Sequence, residues 1–126
     1  MLALRLALDR PERVRKLILL ATSGGIDVAA LGGLDWRETF RRLQPTAPTW
    51  FVDDRTDVTP RLGEIRQPTL LVFGDADLIA PVGVGRFLAE RLPDARLEIL
   101  DNATHDLEGE YPDVIASLIE AHLRRP

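Results

Sequence analysis

Short runs of apolar residues, separated by polar turns, divide the chain into segments with strand character. Residues 17–21 form a continuous apolar run, typical of a strand buried on both faces of a parallel sheet. Residues 68–74 form the clearest strand pattern in the sequence. Residues 95–100 alternate between apolar and polar side chains, as an outer strand does. We therefore predict three strands.

Three further segments have helical character. Residues 2–9 are strong helix formers with apolar groups nearly all round, so we expect this helix to be buried on most of its faces. Residues 81–92 and 112–123 are also predicted to be helical, and His122 is interpreted as a cation at a helix end. The last helix has an apolar face that we expect to be buried, formed by Val114, Ile115, Leu118, Ile119 and Leu123.

Residues 26–66 lack the apolar runs of the predicted strands. Their pattern indicates a helical and loop insertion rather than part of the sheet. Within this segment, residues 34–43 form a short amphipathic pattern that places Trp36, Phe40 and Leu43 on one face of a helix. Several prolines interrupt the remainder of the segment.

The order of the segments is helix, strand, insertion, strand, helix, strand, helix. Strands that alternate with helices predict an α/β fold, here a sheet of three parallel strands with flanking helices and right-handed crossovers. The length of 126 residues permits one domain at most, which we take as residues 1–126. No repeat or low-complexity tract divides it.

Composition and charge narrow the classes of function. The formal net charge of −4 argues against a nucleic-acid or anionic-membrane partner, because such binding needs a basic face. The absence of cysteine excludes disulfides, thiolate catalysis and cysteine-ligated metals. No segment approaches the roughly 20 apolar residues of a membrane span. We expect a cytoplasmic protein with no cofactor and no metal.

Polar side chains of types that can take part in catalysis follow two of the predicted strands. Asp75 and Asp77 come directly after residues 68–74, and His105 follows residues 95–100. Because ligands bind beyond the carboxyl ends of parallel strands, a carboxylate and an imidazole at these positions can meet. A carboxylate bonded to one ring nitrogen fixes the tautomer and leaves the other nitrogen as a general base. Taken singly, each could equally be a turn residue or a solvated loop histidine.

The surrounding segments resemble those of α/β-hydrolase-fold enzymes. Residues 68–81, with the G-x-x-D pattern that ends at Asp77, are similar to the acid-bearing segment of that family. Residues 102–112 resemble its catalytic-histidine segment, and residues 7–25 resemble the helix and strand that follow its nucleophile. The resemblance covers essentially the whole chain. It implies the C-terminal part of an α/β-hydrolase fold, with Asp77 as catalytic acid and His105 as general base.

Two positions depart from the family pattern or leave a choice within it. Asp75 is the less favoured alternative for the acid. Thr104 stands where the family usually has glycine before the histidine, which is expected to change the loop geometry without removing the base.

The nucleophile of the family sits on a G-x-S-x-G elbow between a strand and a helix. The resemblance places that elbow before Met1, so we expect a C-terminal fragment of a serine hydrolase that lacks the nucleophile and has little activity alone. An alternative elbow is Ala21-Thr22-Ser23-Gly24-Gly25, with Ser23 as nucleophile. Against it, no regular helix is predicted to open at Gly25.

The resemblance also implies a substrate and a role for the insertion. The parent enzyme would hydrolyse a small-molecule ester or amide, with residues 26–66 as a lid and Trp36 and Phe40 as substrate-binding residues. Alternatively, these two aromatic residues only pack the lid onto the body. A rival interpretation is a non-catalytic interaction module that binds a partner through an open strand edge. Such an edge is also expected to cause self-association.

Overall fold

A computed structural model describes residues 2–23 and 25–126, with the side chain of Phe51 left out. Met1, which begins the predicted domain, and Gly24, which belongs to the alternative elbow, lie outside the described residues. The longest helix described has 13 residues, and no helix in the described ranges has the length and apolar character needed to cross a membrane.

The three predicted strands form one parallel sheet. Strands β1 (Leu17–Leu20), β2 (Thr69–Gly74) and β3 (Ala95–Leu100) lie in the order β1-β2-β3. In the register, Leu17 lies opposite Thr69, and Thr69 lies opposite Ala95. All six residues of β2 are buried, as expected of a central strand whose two faces are both covered. The prediction of a three-stranded parallel α/β sheet is confirmed.

The described residues form six α-helices around the sheet, two of them only four residues long. In chain order they are α1 (Leu2–Asp9), α2 (Arg37–Leu43), α3 (Trp50–Asp53), α4 (Val82–Arg91), α5 (Leu107–Glu110) and α6 (Pro112–Arg124). Helix α5 falls in a stretch for which the sequence pattern predicts only a loop. Its four residues are too few to display a helical period, so hydrophobic patterning could not have found it.

The core lies on both faces of β2. Phe73, Leu70 and Leu71 of β2 are fully buried, and Leu4 of α1 and Leu88 of α4 belong to the same cluster. Both faces of β2 are therefore covered, as a parallel sheet requires.

Residues 26–66 contain helices α2 and α3, and the described residues of this segment form no strand. Four apolar residues of its second half are buried: Val52, Val58, Leu62 and Ile65. The segment is therefore held by apolar contacts at its end and not only by the chain connection. Its role as a lid stays a prediction.

The helix at the start of the chain is less buried than predicted. Leu4, Ala7 and Leu8 of α1 are buried at the spacing of one helical face. Leu2 and Leu6, which lie on another face, are 62% and 50% exposed. The expectation that α1 is covered on most of its faces is wrong for the described chain, because only one face packs against the core.

The face of α6 also differs from the prediction. Ile115 and His122 are buried, whereas Val114 and Leu123 are exposed. Positions 115 and 122 are seven residues apart and share a face, whereas Val114 and Leu123 are each one position away and so point about 100° off it.

His122 is consequently not the exposed cation that its position near the helix end suggested. It is only 1% exposed. Burial, the largest cause, lowers the pKa of His122, and the nearby Lys16 and Arg125 cations act in the same direction. Lys16 instead supplies the positive charge at this helix end. Its Nζ donates hydrogen bonds to the carbonyls of His122 (3.0 Å) and Leu123 (2.9 Å).

Candidate active site

Asp77 lies three residues beyond the end of β2 and is almost fully enclosed, with 2% exposure. Its Oδ1 accepts hydrogen bonds from the backbone N–H groups of Ile79 (2.8 Å) and Ala80 (2.9 Å). These two amides fix the orientation of the carboxylate. Oδ2 therefore has a defined direction, which is toward the loop after β3.

His105 comes from that loop and meets Oδ2 directly. The distance between His105 Nδ1 and Asp77 Oδ2 is 2.8 Å. Because an ionised carboxylate can only accept, the network assigns the ring hydrogen to Nδ1. The His105 side chain remains 44% exposed while that of Asp77 is enclosed. Nε2 is then the nitrogen that can take a proton from a neighbouring group.

The two loops are fastened to each other by backbone groups close to the pair. Ala76 N–H donates to the carbonyl of Ala103 (3.0 Å), and Asp75 N–H donates to that of Leu100 (3.1 Å). The Asp75 carboxylate accepts a hydrogen bond from Asn102 N–H (2.6 Å). Asp75 therefore joins the loops, and it is Asp77 whose carboxylate contacts the imidazole of His105.

Gly74 is required where the two loops come closest. A Cβ atom at Gly74 would overlap the carbonyl oxygen of Ala103 and lie 2.6 Å from its carbonyl carbon. Only glycine lets the end of β2 approach the loop after β3 so closely. The contact between Asp77 and His105 depends on this approach, since each residue lies within three positions of it.

The imidazole of His105 borders an apolar cleft that also includes the two predicted substrate-binding residues. Trp36 and Phe40 line this cleft, and their rings meet edge to face with centroids 5.7 Å apart. The cleft measures about 620 Å³. Its other lining residues are Ser23, Leu34, Asp35, Thr39, Leu43, Gln44 and Ile79. The structure thus brings Trp36, Phe40 and His105 to one concave surface.

Ser23 lies beside this cleft but not on an elbow. It is half-buried and follows Ala21, which ends the β1 region with a positive φ of 41°. A nucleophile elbow leads directly into a helix. From Gly25 the chain instead runs through bends to a short turn of helix at Ala29–Leu31, and the first α-helix after it is α2.

Two further residues hold the histidine loop, and sequence analysis assigns no role to either. Glu110 accepts hydrogen bonds from the backbone N–H and the hydroxyl of Thr104. These hydrogen bonds lower the pKa of Glu110. The hydroxyl of Tyr111 donates to the carbonyl of Asp101 (3.0 Å). The only available signal was their place in the family-like segment, which did not indicate what they contact.

Nothing in the described ranges offers a preformed metal site, since no three His, Cys, Asp or Glu side chains are grouped to hold an ion.

Known proteins resemble this chain in sequence and in fold. The chain matches no protein-family model. It is 29% identical over 122 residues to a pimeloyl-[acyl-carrier protein] methyl ester esterase of Nitrosomonas europaea, which covers 92% of this chain and 48% of the relative. It is 37% identical over 62 residues to a 2-hydroxy-6-oxo-6-phenylhexa-2,4-dienoate hydrolase of Burkholderia cepacia, over 49% of this chain and 22% of the relative. A solved α/β hydrolase from a Medee basin deep-sea metagenome superposes with a TM-score of 0.74 at 17% identity, over 98% of this chain and 61% of that one.

The chain has the α/β-hydrolase fold over the part that it covers. The α/β-hydrolase resemblance derived from the sequence is thereby confirmed, as is the assignment to the C-terminal part of the fold. The chain spans 48% of the length of the Nitrosomonas europaea relative and 22% of the length of the Burkholderia cepacia relative. In an α/β hydrolase, the loops after the strands carry the catalytic groups, and this is the edge where Asp77 and His105 meet.

Proposed function

We propose that this chain supplies the acid and the base of a serine hydrolase that cleaves an ester, amide or related acyl bond. The contact between His105 Nδ1 and Asp77 Oδ2 carries the proposal. The nucleophilic serine and the donors of the oxyanion hole would come from residues outside these 126. The likeness to hydrolases of several substrate types supports the reaction class without fixing the substrate.

The proposed chemistry follows from the orientation of the imidazole. The serine oxygen attacks the carbonyl carbon of the substrate while its proton passes to Nε2 of His105. The imidazolium that forms is stabilised by Asp77, whose position two backbone amides fix. His105 then protonates the leaving alcohol or amine, and the acyl-serine forms. A water molecule gives its proton to the same Nε2 and attacks the acyl group. The imidazolium then passes that proton to the serine oxygen, which releases the acid and restores both the free serine and the neutral imidazole.

The cleft indicates the kind of group that lies next to the reacting carbonyl. Trp36, Phe40 and Ile79 present apolar surface beside His105, and no Lys or Arg is among the described residues that line this cleft. We therefore expect an uncharged acyl or ring group to occupy it. An anionic group would meet the Asp35 carboxylate there, and the adjacent cation, Arg37, is already paired with Asp35.

A first experiment measures p-nitrophenyl ester hydrolysis by the 126-residue chain. We expect a rate no higher than that of the His105→Ala variant, because the pair has no serine to activate. The Ser23→Ala variant tests the alternative elbow. Turnover that both substitutions abolish would show that Ser23 is the nucleophile and would overturn the proposal in its present form.

A second experiment supplies the missing groups. The chain is joined to the part of the Nitrosomonas europaea esterase that lies outside the aligned region. We expect ester hydrolysis by this hybrid, with losses of roughly 10⁴-fold for Asp77→Asn and a comparable or larger loss for His105→Ala. Asp75→Asn is the matched control, since the Asp75 carboxylate does not contact the imidazole. A folded hybrid that is active and unaffected by His105→Ala would contradict the assignment.

The second candidate function is the interaction module with an open strand edge. In the described chain, β1 is paired on one side only, with β2, and the neighbouring helix α1 exposes Leu2 and Leu6. An unpaired strand edge beside apolar surface recruits another strand. We expect the isolated chain to self-associate in analytical ultracentrifugation, and the double variant Leu2→Lys/Leu6→Lys to do so less. A monodisperse wild-type monomer would contradict this candidate.

A further inference from the structure

The loop that carries His105 is closed by a single carboxylate. Glu110 Oε2 accepts the backbone N–H of Thr104 at 2.7 Å, and Glu110 Oε1 accepts the Thr104 hydroxyl at 2.6 Å. Both oxygens of Glu110 are thus used on the residue directly before His105. Hydrogen bonds to an ionised acceptor are shorter and stronger than neutral ones, and both of these distances are short.

The chain between these two residues folds back around His105. Glu110 N–H donates to the carbonyl of Asp106 (2.9 Å), which closes the single turn of α5. Leu107 at the start of α5 is fully buried and anchors the turn in the core. The backbone of His105 therefore lies inside a closed ring whose two ends are Thr104 and Glu110, so these hydrogen bonds restrain the position of its Cα atom.

We propose that Glu110 is a positioning residue, which acts through Thr104 to hold the imidazole of His105 against Asp77. This inference rests on the proposed function for its catalytic meaning, although its structural content does not depend on activity. The side chain of Asp77 is fixed by the backbone N–H groups of Ile79 and Ala80. The side chain of His105 is 44% exposed, so fewer neighbouring atoms restrain it. The orientation of the ring must then come from the backbone of its loop, which Glu110 fastens.

Thr104 gives this arrangement a feature particular to the present sequence. A glycine at position 104 would keep the backbone N–H for Glu110 Oε2 but would offer nothing to Oε1. The Thr104 hydroxyl supplies the second donor, and it also lies 3.4 Å from the N–H of Asp106. The threonine thus changes a single hydrogen bond into a two-point attachment.

The experiment reads the tautomer of His105 in the 126-residue chain by the ¹⁵N chemical shifts of its imidazole, at a pH where the ring is neutral. His105→Ala identifies the signals. In the wild type we expect the Nδ1–H form to predominate because of Asp77. In Glu110→Ala we expect the Nδ1–H fraction to fall by roughly twofold or more, toward the Nε2–H form favoured in a free side chain. Thr104→Val should cause a smaller fall, since it removes only one of the two hydrogen bonds.

Matched variants separate positioning from general destabilisation. Glu108→Ala removes an exposed carboxylate from the same short helix and should leave the tautomer as in the wild type. Thr104→Ser keeps the hydroxyl and should restore most of the Nδ1–H fraction lost in Thr104→Val. If Glu110→Ala does not fold, the comparison of Thr104→Val with Thr104→Ser tests the positioning role by itself. A folded Glu110→Ala, or a Thr104→Val, with wild-type imidazole shifts would overturn the proposal, whether or not hydrolysis is ever found.

Discussion

The two sides of the sheet differ in how many contacts join them to the rest of the chain. On the β2–β3 side, the loops after the strands are joined by backbone hydrogen bonds, by Asp75 and by the contact of Gly74 with Ala103. On the β1 side, the strand is paired on one side only in the described chain, and α1 exposes two leucines. The contact between Asp77 and His105 lies entirely on the β2–β3 side.

This difference shows that the contact between Asp77 and His105 is organised by one side of the sheet. Asp77 and His105 take their positions from β2, β3 and the loops that these strands carry, and no residue of α1 or β1 contacts either side chain in the hydrogen bonds described. The β1 side supplies core packing and the approach to the cleft. We therefore expect mutations on the two sides to have unequal effects.

The largest difference is expected between a core residue of β2 and an exposed residue of α1. Phe73→Ala removes a fully buried ring and should lower the free energy of unfolding by about 3–5 kcal/mol. Leu6→Ala removes a side chain that is half exposed and should change it by less than about 1 kcal/mol. Urea denaturation of both variants measures the difference.

Two outcomes bear on that comparison. If Phe73→Ala does not fold, Phe73→Leu should show a smaller loss of about 1–2 kcal/mol and preserves the test. Similar losses for the residues of β2 and α1 would mean that the exposed face of α1 is covered in solution, most directly by a second copy of the chain.

A smaller but more local effect is expected at the approach of the two loops. Gly74→Ala places a Cβ atom against the backbone of Ala103, which cannot move away as a flexible side chain could. We expect a loss of about 1–3 kcal/mol in unfolding free energy, together with a lower Nδ1–H fraction at His105. Gly63→Ala is the matched control, because nothing lies within 4 Å of a Cβ atom there. Equal stability of the two variants would show that the close approach is not required.

The parts of the fold that the sequence could predict are those with a long, regular pattern. Strands β1, β2 and β3 were found within one or two residues of their observed ends, because a buried parallel strand is a continuous apolar run. The meeting of a carboxylate from one loop with an imidazole from the next also followed, since neighbouring parallel strands end at the same edge. It was the family resemblance, rather than the pattern, that favoured Asp77 over Asp75.

The parts that could not be predicted depend on contacts between residues far apart in sequence. Nothing in a helical period distinguishes His122, which is buried, from Leu123, which is exposed, until the position of β1 is known. Nor does the sequence show that Glu110 turns back to Thr104, because that contact needs a turn of helix only four residues long. Composition explains neither, since both are decided by geometry.

The β1 side nevertheless has one specific attachment to the rest of the chain. Lys16, directly before β1, donates hydrogen bonds to carbonyls at the end of α6, among them those of His122 and Leu123. Lys16→Met keeps much of the apolar stem but removes the donors, so we expect a loss of about 1 kcal/mol, measured by urea denaturation. Arg15→Met removes a neighbouring exposed cation and should have a smaller effect. Equal effects would indicate that the charge alone matters and not the capping of the helix.

The smallest expected effect is a pH dependence that arises from His122, next to this attachment. Burial lowers its pKa below the ordinary value of 6.5, although the nearby backbone carbonyl of Pro68 acts in the opposite direction. Its ring nitrogens have no hydrogen-bond partner among the residues described, so burial prevails. The unfolded chain therefore binds a proton at a higher pH than the folded chain does. The stability that neutral His122 contributes is complete above about pH 6.5 and decreases as the pH falls below it.

We expect the slope of this decrease to approach, at most, about 1.4 kcal/mol per pH unit, the limit for one proton. Urea denaturation of the wild type between about pH 7.5 and pH 5 measures it. In His122→Leu the part of the slope that begins near pH 6.5 should disappear. A slope that persists in His122→Leu but disappears in His105→Gln would assign the titration to the candidate site. In that case the β2–β3 side of the sheet, and not the β1 side, would determine how the free energy of unfolding depends on pH.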